Sequence, residues 1–251
     1  MKSLICLITL ITCFSALATA KPIVIAVIDT GLGAKQRIPS DFLCKYGHRD
    51  FTTVQKFSSS YGTKDPVPTD THGHGTNIAG VIREHAKKTG KDFCLVILKY
   101  YDPTQPDDSL KNEVAAIRWA TTLKADIINF SSGGYIYSSD EYVAVKKYID
   151  NGGTFVAAAG NENNDLGVNA YFPACDDKRI IVVGNYSRSM SKSPQSNFGK
   201  RVNRWEYGEN VTGFNLVMTG TSQACAVATG KIVGEKNFSR DTTNKSIAIR
   251  K

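Results

Sequence analysis

Three short stretches of this sequence bring together side chains that could do chemistry. IVIAVIDTG ends an apolar run on Asp29, where the chain must turn. THGHGTNIAGVI sets His74 between Gly73 and Gly75, residues that let other backbone approach closely. MTGTSQACAVATG places Ser222 after Gly220-Thr221 and before a run of small residues that can form a tightly packed helix. Taken singly, Asp29 and Ser222 also suit plain capping roles. Together they supply what a serine nucleophile needs, because an unactivated hydroxyl requires a histidine base held in one tautomer by a carboxylate. His72 and His74 also form an HxH pair, but no further Asp, Glu or His gathers nearby to complete a metal ligand set.

The elements that must position these groups alternate in type. Residues 23–28 (IVIAVI) form a continuous apolar, β-branched run that suits a strand buried on both faces, and similar runs recur at 94–100, 126–130, 154–159 and 179–184. Helical patterns fall between them at 74–88, 110–124 and 140–150, the last closed by Asn151-Gly152-Gly153. This alternation predicts an α/β fold, a doubly wound, mostly parallel sheet with helices on both faces. Ligands of such sheets bind beyond the carboxyl ends of the strands, which is where Asp29 falls.

IVIAVIDTG, HGTNIAG, INFSSGG, AAAGNEN and GTSQA stand in the order and approximate spacing of the subtilisin-like serine proteases, which the chain resembles over almost its whole length after residue 20. The order Asp, His, Ser separates it from α/β-hydrolases and chymotrypsin-like enzymes, which order the same groups differently. The resemblance implies peptide-bond hydrolysis through an acyl-enzyme, with Ser222 as nucleophile, His74 as general base and Asp29 orienting the imidazole. It implies that Asn161 and the Ser222 amide form the oxyanion hole, and that Ser131, Ser132 and Gly133 pair with an extended polypeptide substrate. If YFPAC matches the wall of the P1 pocket, Tyr171 or Phe172 makes that pocket shallow and favours small or medium apolar residues. Disulfides Cys44–Cys94 and Cys175–Cys225 follow from the same resemblance. No cofactor is required by it. A structural calcium ion is allowed for, with Asp41 the one contributor identified.

Several positions depart from the family pattern. Asn77 replaces a usual second histidine, Gln223 replaces the methionine after the nucleophile, and Ala226 and Val227 stand for a proline and a histidine beside an unusual Cys225. These departures keep open a second reading, a catalytically inactive homologue that binds extended peptides.

Residues 1–20 show a lysine, an apolar run and Ala18-Thr19-Ala20, the pattern of a secretory signal peptide, with a peptidase domain expected over 21–251. The expected location is secreted or periplasmic. With the Asp29 strand starting two residues after the expected cleavage point, no inhibitory propeptide is anticipated. The polar carboxyl-terminal residues show no clear helix. Removing the signal takes Cys6 and Cys13 with it and leaves Cys44, Cys94, Cys175 and Cys225, an even number fit for two bridges whose connectivity spacing alone does not give. The 31 Lys+Arg against 23 Asp+Glu give a formal charge of +8, but the basic residues are dispersed rather than gathered with aromatics, so no nucleic-acid partner is expected. No other segment is long and apolar enough to span a membrane. A monomer acting on polypeptides is the resulting expectation.

Overall fold

The computed structural model describes residues 21–33, 38–53, 66–104 and 109–238. The expected signal segment and all but the start of the polar carboxyl-terminal stretch lie outside the described residues.

Seven strands form one parallel sheet: β1 (Ile23–Asp29), β2 (Arg49–Asp50), β3 (Phe93–Lys99), β4 (Ile127–Phe130), β5 (Thr154–Ala158), β6 (Ile181–Tyr186) and β7 (Arg204–Tyr207). Their order is β2-β3-β1-β4-β5-β6-β7. The chain winds outward from β1 through β4 to β7, while β2 and β3 lie on its other side with β3 next to β1, and the carboxyl end of β1 is the switch point where a doubly wound sheet opens a crevice. The five apolar runs read from the sequence are β1, β3, β4, β5 and β6. β2, β7 and an antiparallel hairpin of β8 (Val211–Gly213) and β9 (Leu216–Met218) were not foreseen, since they are short and carry polar or charged residues without a continuous apolar run.

Helices cover both faces. α2 (Ser109–Thr122) and α3 (Ser139–Asp150) bury Val114, Ile117, Val145 and Tyr148 against Phe130 and Phe155 on one side. α1 (His74–Lys87) and α4 (Thr221–Glu235) bury Ile78, Ile82, Ala228 and Val233 against Ile25, Val27 and Val156 on the other. The small residues of α4 let α1 lie directly on it. A Cβ added at Gly230 would sit 2.5 Å from His85 Cβ and 2.8 Å from the Ile82 carbonyl, so a larger residue there would push the two helices apart.

Cys44 and Cys94 form a disulfide, with Cα atoms 4.8 Å apart. The expected Cys175–Cys225 bridge is corrected: both thiols are free. Cys225 belongs to the core beneath α1 and α4, whereas Cys175 packs against the core beneath α2 and α3. The sheet lies between them.

Candidate active site

Asp29 closes β1 with its side chain 3 % exposed. Its Oδ1 accepts from the Thr30 amide at 2.8 Å and contacts His74 Nδ1 at 2.8 Å. His74 is the first residue of α1, so its backbone is fixed by the helix while the ring projects back toward the strand end. Gly75 makes this approach possible, because a Cβ there would fall 2.5 Å from the Gly31 carbonyl and 3.1 Å from Asp29 Oδ1. Burial by itself would lower the imidazole pKa. The charge and hydrogen bond of Asp29, helped by the charge of Asp70, outweigh it and hold His74 above its ordinary value.

Asp70 was missed in the sequence. It is fully buried, and its two oxygens accept five hydrogen bonds: from the Thr30 hydroxyl and the His72 and Gly73 amides on Oδ1, and from the Thr76 amide and hydroxyl on Oδ2. Desolvation pushes its pKa up, but these donors prevail and leave it below the usual carboxylate range. Thr30 Oγ1 in turn accepts from the Gly75 amide at 2.9 Å. One carboxylate thus ties the end of β1 to the entry of α1 on both sides of His74. The signal available was an aspartate four residues before His74, in DTHGH.

Ser222 is the second residue of α4. Its Oγ donates to the Ser131 carbonyl at 2.8 Å, and Ser131 Oγ donates to the Ser222 carbonyl at 3.1 Å while accepting from Asn129. The serine hydroxyl is therefore directed at the Ser131–Gly133 strip. The first turns of α1 and α4 nevertheless touch through two of the residues that depart from the family pattern: Gln223 Nε2 donates to Asn77 Oδ1 at 3.0 Å, and Asn77 Nδ2 donates to the Val211 and Leu216 carbonyls of the hairpin.

Asn161 follows β5. Its Oδ1 accepts from the Thr221 amide at 2.9 Å and from the Thr221 hydroxyl at 3.1 Å, which commits the oxygen and leaves the amide NH2 as the outward donor. Thr221 and Asn197 were also missed. Asn197, fully buried, accepts from the Glu162 and Asn164 amides and donates to the Ala159 carbonyl and to Glu162 Oε2, so it shapes the loop that carries Asn161. Ser131 and Gly133 continue from β4, and Gly134 exchanges two backbone hydrogen bonds with Phe172. Tyr171, 8 % exposed, packs against both Gly133 and Gly160, and so occupies the space between the strip and the Asn161 loop.

Asp41 does not fit a calcium ligand: its carboxylate lies 3.5 Å from Arg83 Nη2, which already supplies positive charge there. No group of three or more His, Cys, Asp or Glu side chains able to hold a metal occurs among the described residues. His72 is exposed and contacts His74 only ring to ring, at 6.3 Å.

Comparison with known proteins gives the family and the fold. The profile of the Subtilase family matches residues 20–247. The Major intracellular serine protease of Bacillus subtilis is 27% identical over 91% of this chain and 72% of its own length. The Minor extracellular protease Epr of the same organism is 30% identical over 92% of this chain. This chain spans only 34% of Epr, and only 16% of Subtilisin-like protease 2 of Plasmodium falciparum, which is 28% identical. Among solved structures, a cold adapted subtilisin-like serine proteinase superposes with a TM-score of 0.66 at 25% identity, covering 82% of this chain and 72% of that one.

Proposed function

The chain belongs to the subtilase family, and from that premise we propose that it is a secreted serine endopeptidase acting through Asp29, His74 and Ser222. The observation that carries the reading is the 2.8 Å contact of His74 Nδ1 with the buried Asp29 carboxylate. Asp29 fixes the tautomer with Nε2 free to take a proton.

In this scheme Ser222 Oγ attacks the scissile carbonyl carbon as its proton passes to His74 Nε2. The negative charge that develops on the carbonyl oxygen is met by the Asn161 NH2 and the Ser222 amide at the positive end of α4. The C–N bond then breaks, His74 returns its proton to the leaving amine, and water hydrolyses the acyl-enzyme by the same steps in reverse. An extended peptide adds to the strip as a strand. Its N–H competes for the Ser131 carbonyl that now holds the Ser222 hydroxyl, so substrate pairing itself releases the nucleophile toward His74. Tyr171 between the strip and the loop leaves a shallow P1 pocket suited to small or medium apolar side chains. Apart from the substrate and the hydrolytic water, the catalytic steps use only the chain's own residues.

Secretion rests on the signal-like residues 1–20, with the peptidase domain at 21–251, and on the Cys44–Cys94 disulfide, which belongs to an oxidising compartment. Amino-terminal sequencing of protein recovered from outside the cell should begin at Lys21.

The test of the activity is labelling of the folded mature protein by a fluorophosphonate probe, together with peptide hydrolysis. Label on Ser222 and a loss on the order of a million-fold in turnover for Ser222→Ala are expected of a triad acting as a unit. A folded protein that takes no label would instead be a peptide-binding homologue.

A further inference from the structure

Asn129 is the penultimate residue of β4 and is fully buried. Its neighbours in the sheet register are Val27 of β1 and Val156 of β5, both in the apolar core beneath α1 and α4. An amide in that company is costly unless it is hydrogen-bonded. Its Oδ1 accepts from the Thr229 hydroxyl at 2.9 Å and from the Cys225 thiol at 3.5 Å, and both of these α4 residues are fully buried. Its Nδ2 donates to Ser131 Oγ at 2.8 Å. A valine would suit this part of the core as its two neighbours do, so packing alone does not account for the amide.

The bonds run in one direction. Asn129 Nδ2 occupies Ser131 Oγ as a donor, so the serine hydroxyl spends its single proton elsewhere, on the Ser222 carbonyl at 3.1 Å. Two contacts therefore join Ser131 and Ser222. In one, Ser222 Oγ donates to the Ser131 carbonyl, and this contact has to open before the hydroxyl can turn to His74. In the other, Ser131 Oγ holds the Ser222 carbonyl, and no step of the acyl-enzyme scheme requires it to open. Asn129 sets this second contact and, through Oδ1, ties it to the following turns of the same helix. The thiol of Cys225, a departure from the family pattern, thereby has a place as a donor to Asn129.

Resting on the peptidase reading of the cleft, we propose that Asn129 is a positioning residue for the nucleophile: through Ser131 Oγ it keeps the Ser222 backbone in place while the Ser222 hydroxyl changes partner. The same backbone carries the amide assigned to the oxyanion hole, so a shift of Ser222 would misplace the nucleophile and that donor together. Asn129 touches no reacting atom. Its effect falls on the chemical step, and pairing of a peptide with the strip is left as it was.

The test is the rate constant for labelling of Ser222 by a fluorophosphonate, which does not depend on the folded fraction of a sample, read together with kcat and KM for a peptide. Asn129→Ala is expected to lower the labelling constant and kcat about tenfold, with KM changed by less than about twofold. The acid limb of kcat/KM set by His74 should stay in place, since the Asp29–His74 contact is untouched. Ser131→Ala should give the same losses while leaving the strip backbone and the bonds of Asn129 to α4 intact, so the test stands even where Asn129→Ala does not fold. In a double-mutant cycle the two losses should not add, because both remove one contact. Undiminished labelling in either variant, a loss confined to KM, a shifted limb or additive losses overturn the proposal while wild type is labelled. Wild-type protein that takes no label overturns the peptidase reading, and the proposal with it.

Discussion

Two groups of buried or half-buried acids in this protein meet opposite fates. Asp70, fully buried behind His74, has five donors on its two oxygens and is held below the ordinary carboxylate range. Glu113, Glu141 and Asp176, on the other side of the sheet, keep oxygens without partners and are raised above it. Burial acts in the same direction on all four. The supply of N–H and O–H donors decides the outcome, and the donors beside Asp70 come from a strand end and a helix entry that the fold brings together at its switch point.

If Asp70 is an organising charge, removing it should have the largest effect. Asp70→Ala leaves two hydroxyls and three amides without their acceptor and is expected to cost about 3–5 kcal/mol in denaturant unfolding. Asp70→Asn keeps the shape and removes the charge. With His74 as the proposed base, kcat/KM should rise with pH through the His74 pKa, and this limb should move to lower pH in Asp70→Asn because one charge that raises that pKa is gone. An unmoved limb would reduce Asp70 to a purely steric role.

Asn197 extends the satisfied network to the other side of the crevice. Asn197→Ala orphans the Glu162 and Asn164 amides and is expected to cost about 2–3 kcal/mol. It should also lower kcat about tenfold with little change in KM if Asn161 serves the proposed oxyanion hole, which acts when charge develops on the substrate oxygen. A change confined to KM would show that Asn197 serves binding instead.

The Asn77–Gln223 pair is a smaller version of the same rule. Gln223→Ala leaves Asn77 Oδ1 without a partner in a fully buried site, at about 1–2 kcal/mol. In a double-mutant cycle with Asn77→Ala the two losses should be less than additive, as contact between the first turns of α1 and α4 requires. Strict additivity would break the link between these two departures from the family pattern.

What could be read from the sequence follows from how local each signal is. Asp29, His74 and Ser222 sit at a strand end or a helix start, and each is flanked by glycine or an apolar run visible within ten residues. β1, β3, β4, β5 and β6 are continuous apolar runs for the same reason. Asp70, Thr221 and Asn197 were passed over because their roles lie in donors brought from distant segments: Asn197 serves a loop more than thirty residues away. The Cys175–Cys225 pairing, taken from the family resemblance, failed because matched motifs say nothing about which face of the sheet each thiol occupies. The Glu113–Glu141 pair was equally invisible, since α2 and α3 bring the two acids together only after packing.

The smallest effect tests the deprived side of the comparison. Asp176 is raised to about 7, by burial first and then by the charge of Glu141, with Arg201 pulling the other way. A carboxyl raised on folding keeps a proton that the unfolded chain releases, so its contribution is fully present below the unfolded pKa, near 4, and is lost as pH rises toward 7. Asp176→Asn cannot ionise and so escapes that loss. It should therefore be more stable than wild type at neutral pH by about 1 kcal/mol, a fraction of the full linkage value because the residue is only partly buried. The advantage should shrink to nothing near pH 4 in thermal unfolding. If the variant is instead less stable at neutral pH, Asp176 is ionised and paired in solution, and the contrast with Asp70 holds only for Glu113 and Glu141.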